Sequence, residues 1–221
     1  MKVYENCNVI IDKINPFLFQ KIKKEVLALD AVTNTKHDLR SKDMLVNFQR
    51  SMHSDIPFNS LTKDTNEQFK QEVVKFVNNH EAKFDLFNMM YNFTTNKDVS
   101  QVKWNFENIW INIQQAGDFV PFHQHSGMYS FVLWVQIPYS LSHNKKMKID
   151  RTDDHRVGTF NFVYPNSLGR LTTQTIDADN TMEGEMAIFP AELHHMVYPF
   201  YDCDDLRITI SGNLNIDTKS G

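Results

Sequence analysis

Apolar residues in the first hundred positions recur mainly at helical spacing. Asn15-Pro16 is a typical helix start, because asparagine is a good N-cap and proline is tolerated in the first turn. The apolar stripe that follows is Leu18, Ile22, Val26 and Leu29. A second stripe, after a start near Asp64 or Thr65, is Phe69, Val73, Phe76 and Val77. We therefore predict two helices, with loop and short elements over residues 30 to 62.

From about Lys103 the pattern changes to that of β-strands. The segments with strand composition are WNFENIWINIQ, SFVLWVQI, TFNFVY, EMAIF and LRITISGNLNI. SFVLWVQI is almost continuously apolar, as expected of a strand covered on both faces. Short strands without helices between them favour an antiparallel sandwich or barrel, with the helices packed outside. We predict a single domain over 1–221, with a helical support region at 1–100 and a mainly β (α+β) core at 101–217.

Composition narrows the classes of partner. The net charge is -4 over 221 residues and no long basic run occurs, so nothing indicates nucleic-acid binding. Neither an apolar run of about 18 residues nor a signal-peptide core is present, so we expect no membrane span and a cytoplasmic protein. In that compartment Cys7 and Cys203 are expected to be free thiols.

Histidines mark the start of the apolar strand. His123 and His125 project side by side if the chain is already extended there, but a metal site needs at least a third protein ligand. His194-His195 follows the segment EMAIFP, and adjacent residues of a strand face opposite ways, so at most one of them enters the same site. The spacing does not decide which. The other histidines lie in polar surroundings and are predicted at the surface: His37, His53, His80, His143 and His155.

The last strand alternates between polar and apolar residues. Arg207, Thr209 and Ser211 share one face, while Leu206, Ile208 and Ile210 share the other. One alternative is an outer strand whose polar face meets solvent. The other is that Arg207 points into the barrel mouth, where its planar fork would clamp a carboxylate. A buried arginine without an anion is costly, so an inward Arg207 implies an anionic ligand.

The order of these motifs resembles the iron(II)- and 2-oxoglutarate-dependent oxygenases. More narrowly, it is similar to small oxygenases of that superfamily found in phages and marine bacteria, which carry W-x-N, H-x-H, G-x4-FP-x4-H-x-V-x-P and R-x-S. The corresponding pieces here are Trp110-Ile111-Asn112, His123-Gln124-His125, Gly184, Phe189-Pro190, His195-Met196-Val197-Tyr198-Pro199 and Arg207-Ile208-Thr209. The resemblance covers about residues 104 to 216.

This resemblance implies a double-stranded β-helix, or jelly roll, with Fe(II) at its open end. It selects His195 as the third metal ligand beside His123 and His125, with no catalytic side chain beyond the ligands. Arg207 and Thr209 would bind the far carboxylate of 2-oxoglutarate, a small-molecule cosubstrate, and Asn112 would line the same cavity. The implied reaction is a hydroxylation coupled to oxidative decarboxylation of 2-oxoglutarate to succinate. The substrate is not fixed by the fold.

One position departs from the superfamily pattern. Its usual metal site is His-x-Asp/Glu with a distant histidine, whereas the second position here is His125. Three imidazoles leave the iron its full charge, which either favours 2-oxoglutarate or marks another metal. Asp118, five residues before His123, is a poor substitute.

Two other functions are compatible with part of the pattern. One is a cupin-like metal enzyme that does not use 2-oxoglutarate, although a cupin has no reason to keep Arg207-x-Thr209. The other is a non-enzymatic jelly-roll binding module, with the histidines as polar residues at strand ends. The polar stretch Ser142–Gly158 is either a lid over the site or a surface insertion.

Overall fold

The computed structural model describes residues 1–29, 32, 56–91, 103–140, 156–201 and 203–216. The stretch considered as a lid, Ser142–Gly158, lies outside these residues except for 156–158. Four of the histidines predicted at the surface, His37, His53, His143 and His155, also lie outside them.

The helices begin close to their predicted starts. Helix α1 spans Pro16–Leu27, α2 spans Lys63–Phe84 and α3 spans Leu86–Tyr91. The Asn15 side chain accepts hydrogen bonds from the backbone N–H groups of Phe17 and Leu18, so it is the N-cap of α1. Thr62 caps α2 in the same way. Short 3₁₀ turns occupy Glu5–Cys7, Phe58–Ser60 and Asn180–Met182.

The strands form two antiparallel sheets. They are β1 (Lys2–Tyr4), β2 (Val9–Lys13), β3 (Ile56–Pro57), β4 (Trp104–Gln114), β5 (Val120–His123), β6 (Tyr129–Gln136), β7 (Phe160–Pro165), β8 (Leu171–Ile176), β9 (Glu185–Pro190), β10 (His194–Val197) and β11 (Arg207–Ile216). The large sheet has the order β1-β2-β9-β6-β11-β4-β3, and the small sheet has the order β5-β10-β7-β8.

Apolar side chains form two layers of core. Val132 and Trp134 of β6 lie between the sheets, where they join Phe160 and Phe162 of β7. Leu133, on the opposite face of β6, packs with the apolar stripes of α1 and α2. Both faces of β6 are therefore covered, as its composition predicted. The arrangement confirms the predicted jelly roll with helices packed outside.

Two features of the N-terminal region differ from the sequence analysis. Strands β1 and β2 lie in the stretch predicted as helical, and β2 pairs with β9 at one side of the large sheet. The prediction that His80 is a surface residue is wrong, because its side chain is fully buried. Its sequence neighbours are polar, but its position follows Val73, Phe76 and Val77 at helical spacing on the buried stripe of α2.

Two expectations from composition can be compared with the fold. Cys7 is buried and Cys203 half-buried, and neither forms a disulfide. Among the helices that the structure describes, none combines the length and apolar character needed to cross a membrane.

Candidate metal centre and adjoining cavity

Three histidines converge beside strands β5 and β10 of the small sheet. His123 ends β5 and stands directly opposite His195 of β10 in the antiparallel register. His125 lies in the following loop, whose backbone is held by a hydrogen bond of 2.9 Å from His125 N–H to the Ala191 carbonyl. One ring nitrogen from each histidine lies within 4.8 Å of the other two. This spacing suits three ligands of one metal ion.

Backbone carbonyls fix two of these rings. His123 Nδ1 lies 2.7 Å from the Pro121 carbonyl oxygen, and His195 Nδ1 lies 2.9 Å from that of Leu193. A carbonyl oxygen only accepts, so each Nδ1 carries the hydrogen and donates it. Each Nε2 therefore keeps its lone pair, the arrangement that orients a histidine toward a metal.

Burial keeps the cluster neutral. Burial, together with the neighbouring His123, lowers the pKa of His195 to about 3. The same causes, in the same order, lower the pKa of His125 to about 4. The pKa of His123 is also lowered, chiefly by burial. All three imidazoles are thus uncharged at neutral pH, and the uncharged imidazole is the form that binds metal.

Nearby polar residues stay outside the cluster. The His194 ring stacks on Phe122 with centroids 4.6 Å apart, so of the adjacent pair only His195 joins the cluster. The Asp118 carboxylate accepts a hydrogen bond of 2.8 Å from the Gln115 backbone. In the part of the chain that the structure describes, the cluster contains no carboxylate.

Arg207 lies inside the molecule, with 2% of its surface exposed. Its Nε donates to Gln114 Oε1 at 2.9 Å, and its Nη1 donates to Tyr139 Oη at 2.9 Å and to the Tyr198 carbonyl at 3.0 Å. Its guanidinium lies 5.0 Å from the centre of the Phe200 ring. Its Nη2 is buried and has no hydrogen-bond partner among the described residues. The second alternative for this strand, an inward Arg207, is the one that the fold adopts.

Asn112 organises the polar face of β4 and β11. Its Oδ1 accepts from Trp110 Nε1 at 2.9 Å, and its Nδ2 donates to Thr209 Oγ1 at 3.1 Å and Ser211 Oγ at 2.9 Å. Both amide hydrogens are therefore occupied. Because the two hydroxyls accept from Asn112, their own hydrogens point elsewhere. The Asn112 amide thus orients Thr209 and Ser211 as donors.

These groups face one cavity. It has a volume of about 330 Å³ and is lined by the histidine cluster, Arg207, Thr209, Asn112 and the aromatic rings of Trp134 and Phe160. That volume is at the lower end of the range for small-molecule sites, roughly 300 to 1,000 Å³. Gln114 also lines the cavity, and no sequence motif marks it. A lone glutamine in a strand carries no distinctive pattern, so only the structure identifies it.

The sequence around this site matches a known protein family. The sequence model of a family described as "Putative 2OG-Fe(II) oxygenase" matches residues 108–213, a range that contains the cluster, Arg207 and Gln114. The matched residues, which contain the whole site, have the sequence of a 2OG-Fe(II) oxygenase. The chain is a 2-oxoglutarate-dependent oxygenase, which implies Fe(II) and 2-oxoglutarate as its cofactor and cosubstrate.

Three solved structures are similar to that of this oxygenase. The structure of AviO1 from Streptomyces viridochromogenes Tue57 is similar with a TM-score of 0.54 and 11% identity, over 98% of this chain and 92% of AviO1. A Pseudomonas putida prolyl-4-hydroxylase matches with a TM-score of 0.47 and 12% identity, over 94% of this chain and 86% of its own. A prolyl hydroxylase from Trichoplax adhaerens, solved with a peptide fragment of hypoxia inducible factor, matches with a TM-score of 0.47 and 9% identity, over 96% and 84%. No curated protein matches the sequence.

The donor set of the oxygenase fits the implied metal. Imidazole nitrogen is a good ligand for Fe(II), and backbone carbonyls direct the lone pairs of His123 and His195. The unpaired Arg207 Nη2 fits the implied anionic cosubstrate.

Proposed function

We propose that this oxygenase is a hydroxylase that decarboxylates 2-oxoglutarate to succinate while it oxidises a C–H bond of a second substrate. His123, His125 and His195 would hold Fe(II), and Arg207 with Thr209 would bind the far carboxylate of the cosubstrate. The observation that carries the proposal is that three neutral imidazoles and a buried guanidinium with an unpaired nitrogen line the same cavity.

The chain's own residues have separate tasks in this scheme. Bound Fe(II) would supply the redox chemistry with oxygen and the keto acid. Arg207 supplies the positive charge for the cosubstrate, and Tyr139 and Tyr198 hold its guanidinium in place. The rings of Trp134 and Phe160 form an apolar wall that keeps water from the reacting atoms.

Charge explains why three imidazoles serve here. Neutral histidines leave the metal ion its full charge, whereas the usual carboxylate of the superfamily cancels part of it. A doubly negative keto acid is attracted more strongly to the more positive site. The charge on Arg207 acts in the same direction at the other end of the ligand.

Binding without oxygen tests this function directly. We expect Fe(II) and 2-oxoglutarate to give a visible charge-transfer band when added anaerobically to the purified protein. His195→Ala should abolish the band, because it removes a proposed ligand. His194→Ala is the matched control and should keep it, since the His194 ring stacks on Phe122 outside the cluster.

Two results would argue against the proposal. One is a folded wild-type protein that gives no band at any 2-oxoglutarate concentration. The other is a His195→Ala variant that gives the wild-type band. A positive result leads to the substrate, through a screen of candidate compounds for those that increase the conversion of 2-oxoglutarate to succinate.

A further inference from the structure

Two buried nitrogens in the cavity wall lack an acceptor. They are Arg207 Nη2 and Gln114 Nε2, and neither has a hydrogen-bond partner in the described part of the chain. Gln114 is 5% exposed and lines the same cavity as Arg207. A buried donor without an acceptor costs about 1–3 kcal/mol, so a pair of them at one place points to a ligand.

The orientation of the Gln114 amide is determined by its neighbour. Gln114 of β4 stands directly opposite Arg207 of β11, and its Oε1 accepts from Arg207 Nε at 2.9 Å. Arginine has no acceptor atom, so the amide oxygen and not its nitrogen must face the guanidinium. The nitrogen therefore points away from Arg207, with both hydrogens to donate.

The group that satisfies such donors must accept only. A carboxylate has two acceptor oxygens and no hydrogen, and it carries the charge that Arg207 requires. Thr209 adds a third donor, because its hydroxyl accepts from Asn112 and its own hydrogen is free to donate. Arg207 Nη2, Gln114 Nε2 and the Thr209 hydroxyl are thus three donors that suit one carboxylate group.

We propose that Gln114 is a direct ligand of the far carboxylate of 2-oxoglutarate, and that it helps to select a dicarboxylic over a monocarboxylic keto acid. This inference rests on the proposed function, since it assigns a residue to the same cosubstrate. Its second role is positioning, because Gln114 Oε1 fixes Arg207 Nε. The two roles predict different results when Arg207 is absent.

The test uses two keto acids and a double-mutant cycle. 2-Oxovalerate has the keto-acid end of 2-oxoglutarate but a methyl group in place of the far carboxylate. Dissociation constants of both are measured anaerobically from the charge-transfer band, and by calorimetry with Mn(II) in place of iron. The proteins are wild type, Gln114→Ala, Arg207→Ala, the double variant and Gln114→Glu.

We expect Gln114→Ala to weaken the binding of 2-oxoglutarate by about ten- to a hundredfold, as for loss of a hydrogen bond to a charged group. Binding of 2-oxovalerate should change less than about twofold. In the Arg207→Ala background, Gln114→Ala should still weaken the binding of 2-oxoglutarate, by about threefold or more. Gln114→Glu preserves the volume and the acceptor but replaces the donor with a negative charge. It should bind 2-oxoglutarate more weakly than Gln114→Ala does.

Gln136 supplies the matched control. It is a half-buried glutamine of β6 whose Nε2 donates to the Leu206 carbonyl at 2.8 Å, and it does not line the cavity. Gln136→Ala should bind both keto acids as wild type does.

Each remaining outcome overturns the inference. Wild-type affinity of Gln114→Ala for 2-oxoglutarate would exclude the contact, and an equal loss for both keto acids would place the effect at the metal end. A loss that vanishes in the Arg207→Ala background would reduce Gln114 to a positioning residue. Failure of the proposed function looks different, because wild type would then bind neither keto acid at the metal.

Discussion

At the scale of single residues, His125 is where the site departs from the superfamily pattern. It occupies the position where the usual pattern has a carboxylate, and the structure places its ring beside His123 and His195. Burial lowers its pKa to about 4, so it is neutral when a metal arrives. If it is a ligand, replacement by a carboxylate should preserve the metal site, whereas replacement by alanine should not.

We expect His125→Ala to lower Fe(II) affinity by more than about a hundredfold, because loss of a residue that only hydrogen-bonds to a metal ligand already costs about 10–100-fold. His125→Asp should retain iron. It should also bind 2-oxoglutarate more weakly than wild type, since a carboxylate ligand reduces the charge on the metal. Competition with a chelator measures the first constant, and the charge-transfer titration measures the second. Unchanged iron affinity in His125→Ala would remove His125 from the ligand set.

Sequence patterns identify residues whose chemistry is distinctive and overlook the others. His123, His125, His195 and Arg207 stand out because imidazole and guanidinium are uncommon on otherwise apolar strands. Gln114 does not stand out, because its role depends on its contact with the arginine opposite it in another strand. His80 could have been placed correctly, since it continues the apolar stripe of α2.

At the scale of elements, a buried polar network ties α2 to the large sheet. His80 Nε2 lies 2.7 Å from the Asn8 carbonyl oxygen and therefore donates to it, while its Nδ1 lies 3.0 Å from Tyr129 Oη. The Tyr129 hydroxyl donates a hydrogen bond to the Glu81 carboxyl group. Burial raises the pKa of Glu81.

The network predicts a loss of stability in mild acid. Burial lowers the pKa of His80 to about 4, against about 6.5 in the unfolded chain. Between these values the unfolded state binds a proton that the folded state does not, so the free energy of unfolding decreases as the pH falls through this window. Relative to His80→Gln, wild type should lose up to about 1.4 kcal/mol per pH unit.

Urea unfolding at several pH values between about 7 and 4 measures the difference. Glu81 acts with the opposite sign, because its raised pKa favours proton uptake by the folded state, but it is present in both proteins. Parallel pH profiles for wild type and His80→Gln would contradict the assignment of a neutral, buried His80.

Elements are predictable where their signals are local. The N-caps of α1 and α2 involve residues within a few positions of each helix start, and both helices begin within two residues of the prediction. Sequence patterns do not reveal strands β1, β2 and β8, because these strands are short and each is stabilised by a partner strand. β8 has alternating exposure and threonine-rich composition, which resembles a surface loop in sequence.

At the scale of the whole molecule, the order of strands in the sheets is the part that the sequence does not reveal. β6 lies between β9 and β11, and β10 lies between β5 and β7, so neighbours in space are distant in the chain. Such pairings depend on the packing of both sheets together. They nevertheless decide the site, because they bring His123 beside His195 and Gln114 beside Arg207.

The two ends of the proposed cosubstrate site belong to different sheets. His123 and His195 lie on the small sheet, while Arg207, Thr209 and Gln114 lie on the large sheet. A metal ion alone would connect the small sheet and the loop that carries His125. 2-Oxoglutarate, chelated at one end and clamped at the other, would join the two sheets across their shared core.

This division predicts that 2-oxoglutarate raises the thermal stability of the protein more than a keto acid that lacks the far carboxylate. With metal present, 2-oxoglutarate at a hundred times its dissociation constant should add about 2.7 kcal/mol, or roughly 5–10 °C in Tm for a chain of this size. At the same concentration 2-oxovalerate should add less, because it has no group for the large sheet. Melting under nitrogen with Mn(II) or Fe(II) measures these shifts, and His195→Ala should show none of them. Equal shifts from the two keto acids would mean that the cosubstrate does not reach Arg207, and a full shift in His195→Ala would place the ligand elsewhere.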